Sequence, residues 1–264
     1  EGTAIIAQRL DDDQRVVVVA NGSVAKFVAP DIILFYREAS ADVAALHVNP
    51  KTMQPRGEPV TVLDQVPAAS MLRGCYDVSD NAHVVYNHGS ERGLVSARRQ
   101  LTWVDTDNTT IPVFADESSW AQPQISPDGR HIVVRQVNTP NCVLWNYDIV
   151  RGTRGRVTVD EDAHNPLWNP VNGNIIFRYD VGSTFTIAER NADGTGETRT
   201  LYAHDLIEYS PTSISSDGRW LFVDAIENQR DIWVIDLQEG GEPRAFISTA
   251  FREQDAAISP DIRW

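Results

Sequence analysis

Three segments of this chain repeat one ten-residue pattern: Ile125-Ser-Pro-Asp-Gly-Arg-His-Ile-Val-Val134, Trp168-Asn-Pro-Val-Asn-Gly-Asn-Ile-Ile-Phe177 and Ile214-Ser-Ser-Asp-Gly-Arg-Trp-Leu-Phe-Val223. Their glycines stand at 129, 173 and 218, so the intervals are 44 and 45 residues. That period fits four-stranded propeller blades and is too long for leucine-rich or ankyrin units. Weaker copies continue the register at Val28–Tyr36, Val78–Tyr86 and Ile258–Trp264, giving six copies of one hairpin. The chemistry is that of a turn: proline presets φ, aspartate bonds the backbone two residues on, and glycine accepts the left-handed region. A β-branched or aromatic run follows each turn, as in Ile132-Val-Val134 and Ile175-Ile-Phe177, which fits a strand buried on both faces between adjacent blades.

About twenty residues beyond each turn, an alternating strand ends in a polar hairpin. Examples are Val143–Asp148 before Arg151-Gly152, Asp231–Asp236 before Gly240-Gly241, and Leu101–Asp105 before Thr106-Asp107-Asn108. Each leads into a fourth strand, such as Arg156–Val159 or Arg244–Ile247. The expected fold is all-β, a six-bladed β-propeller of four-stranded antiparallel blades forming one domain over 1–264. Five complete blades are expected near 27–63, 75–115, 121–159, 164–202 and 209–248. The sixth is expected to be incomplete and shared between the termini, from residues 4–20 and 256–264. Closing a propeller this way removes exposed strand edges.

Composition narrows the function. Lys and Arg total 23 against 37 Asp and Glu, a net charge of -14 that repels phosphate backbones and anionic lipid surfaces. Nucleic acid is not an expected partner. Apolar runs such as Val16–Ala20 and Ile32–Tyr36 are strand-sized, so no membrane insertion of this piece is expected. No targeting signal is visible near Glu1, and the chain reads as part of something longer. Cys75 and Cys142 form no Cys-x-x-Cys pair and read as two free, partly buried thiols, with a disulfide as the alternative.

The ordered phrases Gly57-Glu-Pro-Val-Thr-Val-Leu63, Leu101-Thr-Trp-Val-Asp105, Ile125-Ser-Pro-Asp-Gly-Arg130, Asn191-Ala-Asp-Gly-Thr-Gly196, Tyr209-Ser-Pro-Thr-Ser213 and Asp231-Ile-Trp-Val-Ile-Asp236 cover nearly the whole chain. In them the sequence resembles the PD40, or WD40-like, repeats of TolB-type propellers. It is most similar to the propeller region of bacterial receptor-like serine/threonine protein kinases. The resemblance implies an extracytoplasmic domain, on the periplasmic or cell-surface side of a membrane anchor lying outside this piece. It departs from the pattern at Ile262, which takes the glycine position of the last turn, at Asn81-Ala82, which replace Asp-Gly, and at the shortened Asp31-Ile32 turn. Those hairpins are expected to be less regular. Kinase motifs are missing from this stretch, so only the non-catalytic part is resembled.

No catalytic residues, metal site or cofactor are expected. The acidic clusters Asp11–Asp13, Asp105–Thr109 and Asp160–Asp162 lack calcium-loop spacing. The histidines at 47, 83, 88, 131, 164 and 204 lack zinc spacing. Ser90 sits in no Gly-x-Ser-x-Gly elbow, and the recurrent Asp128, Asp217 and Asp261 are turn formers. Inter-blade loops converge on the channel mouth of a propeller, which makes Gln122, His164, Glu208, Tyr209, Gln254 and Asp255 the candidate ligand- or partner-binding residues. The expected function is non-enzymatic recognition of a protein, a peptide or a small-molecule signal. The alternative is the propeller domain of an enzyme, either a serine peptidase whose substrate it gates or a polysaccharide lyase.

Overall fold

The computed structural model describes residues 3–12, 14–28, 30–64, 66, 76–79, 83–88, 100–104, 109–115, 117–137, 141–227 and 229–264. Cys75, Asn81, Ala82, Ser90 and the acidic turn at 105–108 lie outside them. Five four-stranded antiparallel sheets follow one another along the chain. Blade 1 is Ser23–Val28, Ile32–Arg37, Asp42–Val48 and Pro55–Leu63; blade 2 is Tyr76–Val78, Val84–His88, Gln100–Val104 and Thr110–Pro112. Blade 3 is Trp120–Ile125, His131–Gln136, Val143–Asp148 and Thr153–Arg156. Blade 4 is Ala163–Trp168, Ile175–Val181, Thr184–Arg190 and Arg199–His204; blade 5 is Glu208–Ile214, Trp220–Ile226, Arg230–Asp236 and Arg244–Ile247. Within each sheet the strands lie in chain order. Among the described residues no helix is long and apolar enough to cross a membrane.

The Ser-Pro-Asp-Gly hairpin has the bonding its composition implies. In blade 3, Ser126 N donates to His131 O (2.9 Å), His131 N to Ser126 Oγ (2.9 Å), and both Ser126 Oγ (2.6 Å) and Arg130 N (3.0 Å) to Asp128 Oδ1. Gly129 takes φ +69°. Ser215, Asp217 and Gly218 repeat this set in blade 5. So do Ser259 and Asp261, where Ile262 adopts φ 54° in the glycine position. The last hairpin was expected to be less regular; it keeps its bonds by holding a β-branched side chain in the left-handed region.

The core consists of layers between blades. Phe177, Ile175 and Trp168 of blade 4 pack on Val133 and Leu144 of blade 3, and Leu221 and Val223 of blade 5 pack on Ile176 and Ile187 of blade 4. Val85 and Leu101 meet Trp120 and Ile132 between blades 2 and 3. Since strand faces look toward neighbouring blades, the central strands carry unbroken apolar runs rather than alternation.

The terminal segments fill the space between blades 5 and 1. Ala7, Val18 and Trp264 pack against Ile33 and Phe35 of blade 1, while Leu10, Ala256 and Ile258 pack against Phe222 and Val234 of blade 5. Leu10 N donates to Arg263 O (2.9 Å), as Ile149 N does to Arg130 O in blade 3 and Leu237 N to Arg219 O in blade 5. Ile5–Gln8 pairs only with Arg15–Val19, however, and Ala256–Trp264 contains no strand. Among the described residues there are therefore five blades and a two-stranded sheet. First and third strands of a blade are never neighbours, and no described residues supply the second strand between them.

Arg37 and Asp42 form a two-contact ion pair across the hairpin between the second and third strands of blade 1. The guanidinium, with the Ser40 and Thr61 hydroxyls, holds the buried Asp42 carboxyl down at about 2. A depressed carboxylate pKa stabilises the fold above its unfolded value and loses that contribution as the pH falls through the folded one. The shift corresponds to about 2 kcal/mol. The stability gap between wild type and Asp42→Asn should therefore close as pH drops from about 4 toward 2, measured by urea unfolding at each pH.

Candidate channel-mouth site

The innermost strands bulge where they meet the central channel. Val24, Gln122, Asn165 and Asp255 have φ of 51°, 51°, 52° and 60°, and the ladders break at Ser23/Lys26, Ala121/Gln124 and His164/Leu167. Pro123 and Pro166 follow two of these residues, and a proline cannot donate to the ladder. A non-glycine residue in this region costs about 1–2 kcal/mol, so the surroundings must hold it there. Side chains from neighbouring blades do so. Gln122 Oε1 accepts from Asn165 N (3.1 Å) and Asp224 Oδ1 from Asp255 N (3.1 Å). The bulges line a cavity of about 180 Å³ with Lys26, Gln124 and Thr212, and Lys26 Nζ pairs with Asp77 at 3.2 Å.

At the end of the channel where inter-blade connections arrive, a polar cluster spans blades 3, 4 and 5. Arg178 is clasped by Asp180 (Nε–Oδ1 3.1 Å), Glu208 and Ser210 Oγ (3.0 Å). Arg135 donates to Cys142 Sγ (3.1 Å) and Gln122 Oε1 (3.4 Å). Asp162 Oδ1 accepts from Cys142 N (2.8 Å) and lies 3.4 Å from His164 Nε2. Burial, then the charges of Arg135 and Arg178, push the His164 imidazole down to about 4 against the opposing pull of Asp162, so at neutral pH it is uncharged. Burial raises the Asp180 carboxyl despite Arg178. Burial opposes ionisation of Asp162 too, but the Cys142 N–H and His164 outweigh it and its pKa falls. Neutral imidazole and ionised carboxylate thus stand side by side.

Neither a protein-family model nor a curated protein matches the sequence. Solved structures do. The putative TolB from Agrobacterium tumefaciens superposes with a TM-score of 0.71 at 12% identity, covering 92% of this chain and 89% of that one. TolB from Acinetobacter baumannii gives 0.68 at 14% identity over 90% of this chain, which spans 58% of that protein's length. The chain is a β-propeller of TolB-like fold. A puromycin-hydrolysing peptidase from Mycobacterium tuberculosis is also similar, with a TM-score of 0.58 at 17% identity over 91% of this chain and 42% of that one. At such identities the likeness is one of fold.

In this TolB-like propeller, four of the six residues expected at the mouth reach the channel or the cluster beside it. Gln122 and Asp255 line the cavity, while His164 and Glu208 belong to the cluster. Gln254 is exposed and donates to Asp255 Oδ2 (2.9 Å). Tyr209 requires correction: it is 3% exposed, packed against Tyr202, His204 and Trp233 in the core between blades 4 and 5, with its hydroxyl pKa raised by burial. The alternation of Glu208, Tyr209 and Ser210 turns that ring toward the neighbouring blade instead of the channel. Arg135, Cys142, Asp162, Arg178 and Asp180 were not expected. A charged residue beside the apolar core of a central strand, as in Phe177-Arg178-Tyr179-Asp180, was the available signal.

Proposed function

We propose that this chain is a non-enzymatic recognition module that binds a protein or peptide partner on the face where its inter-blade connections converge. One observation carries the reading. The three successive segments that leave the fourth strands of blades 3, 4 and 5 each present an exposed apolar side chain: Val159 at 56%, Leu206 at 82% and Phe251 at 75% exposure. Single exposed apolar residues are ordinary, but recurrence in successive connections at one end of the blades is a pattern that partner binding explains. The loop holding Leu206 outward is built, since His204 Nδ1 accepts from both Leu206 N (3.1 Å) and Ile207 N (2.9 Å). The sequence phrases resembling the propellers of receptor-like kinases support an extracytoplasmic sensor or scaffold role in such a kinase. The small cavity between bulged strands offers polar groups for a chain end or a signal molecule.

The test compares wild type with a Leu206→Asp/Phe251→Asp double variant, both immobilised and exposed to an extract of the periplasmic and surface fraction. Partners held by wild type should be lost from the variant, whose stability should stay within about 0.5 kcal/mol because both sites are exposed. An unchanged bound set would remove this face from the proposal. The likeness to the Mycobacterium tuberculosis peptidase favours a second reading, a substrate-gating propeller beside a hydrolase domain. Sequencing the gene on either side distinguishes the two.

A further inference from the structure

Cys142, Asp162 and His164 are scattered in sequence but meet in space, each offering one ligand atom within 4.8 Å of the others. Blade architecture brings them together. Cys142 immediately precedes the third strand of blade 3, while Asp162 and His164 flank the start of the first strand of blade 4. The bond from Cys142 N to Asp162 Oδ1 (2.8 Å) ties the two segments and leaves the second carboxylate oxygen for another partner. All three side chains are buried or half-buried.

We propose that these three residues form a binding site for one divalent ion of the zinc class, at the edge of the channel mouth. A thiolate, an imidazole and a carboxylate suit zinc with its fourth position open, and the sulfur disfavours calcium and magnesium. Two guanidiniums nearby would repel a bare cation, yet the local charge accommodates this one. Asp162, Asp180 and Glu208 supply three negative charges against the two of Arg135 and Arg178, leaving one in excess. A divalent ion that displaces the thiol proton of Cys142 adds one net positive charge and balances the cluster. The Arg135 Nη2 donor, 3.1 Å from Cys142 Sγ, is placed as an outer-shell partner of that sulfur. The His164 imidazole offers a nitrogen within the same 4.8 Å cluster. Sequence spacing concealed the site because its ligands come from two blades. The proposal holds whichever partner the mouth binds.

The full chain, stripped by a chelator, is titrated with cobalt(II) and then zinc. One equivalent of cobalt should bind with a thiolate-to-metal charge-transfer band and tetrahedral d–d bands, and zinc should displace it. Cys142→Ser should abolish the charge-transfer band, Cys75→Ser should leave it intact, and Asp162→Asn or His164→Gln should weaken binding by at least about 10-fold, the smallest loss typical even of an outer-shell partner. X-ray absorption of the zinc-loaded Cys75→Ser protein should show a sulfur neighbour at about 2.3 Å. Absence of stoichiometric binding, or a shell containing only nitrogen and oxygen, overturns the proposal whether or not the Cys142 variant folds.

Discussion

Phe177→Ala should lower the unfolding free energy by about 3–5 kcal/mol, the usual cost of deleting a fully buried ring. Phe177 is 0% exposed and belongs to the layer formed by Val133, Leu144 and Val157 of blade 3 and Ile175 and Trp168 of blade 4. Its loss removes apolar burial and opens a cavity between two sheets. Those sheets are braced by their own ladders and cannot close over the gap, which places the cost toward the upper end of that range. Urea unfolding should show a lower midpoint with an unchanged slope, as expected when the native state is weakened without altering the surface exposed on unfolding. Val181→Ala is the matched control, on the same strand but 63% exposed, and should stay within about 0.5 kcal/mol of wild type. A loss below about 1 kcal/mol for Phe177→Ala would mean that the inter-blade layer is not close-packed.

The sequence makes this layer legible because propeller strands state their environment twice. Their turns recur at a fixed period, and their apolar runs are too continuous for a sheet with one wet face. Ile132-Val-Val134 and Ile175-Ile-Phe177 could be assigned to strands from the Gly129 and Gly173 turns alone. The bulges were harder to foresee. A two-residue alternation cannot reveal that Val24 or Gln122 turns left-handed, because the holding acceptors come from a different blade, as Gln122 Oε1 does for Asn165 N. For this reason blade 1 begins at Ser23 rather than near 27: the bulge at Val24 interrupts the pattern that marks a strand. The same limit applies to the candidate site. Loop position was only an approximate guide, since Gln122, His164, Glu208 and Tyr209 stand on the first strands of blades 3, 4 and 5, and it could not tell which side of the strand the Tyr209 ring would take. Nor could it identify Arg135, Cys142 and Arg178, strand and strand-end residues whose meeting depends on how blades 3, 4 and 5 are placed around the channel.

Gly194→Ala should be the most damaging single-methyl change in the described chain, at about 3 kcal/mol, and here two costs add. Gly194 sits in the hairpin between the third and fourth strands of blade 4 with φ +78°, which alone costs an alanine about 1–2 kcal/mol. An added Cβ would also fall 2.2 Å from Arg156 O and 3.3 Å from Arg156 C, backbone atoms of the outer strand of blade 3. A flexible side chain could rotate away, whereas a paired strand cannot, so the hairpin must lift from its neighbour. It is anchored there by Asn146 Nδ2, which donates to Ala192 O (2.9 Å), and lifting it would strain that bond as well. Gly129→Ala separates the two contributions. Its φ of +69° carries the same conformational penalty, but nothing lies within 4 Å of the new methyl, so it should lose only about 1–2 kcal/mol. Urea unfolding of both variants gives the difference, which measures how firmly blade 4 is seated on blade 3. If the losses are equal, the hairpin yields freely. If Gly194→Ala costs more by about 1–3 kcal/mol, the glycine of Asn191-Ala-Asp-Gly is retained for close approach between blades as well as for the turn.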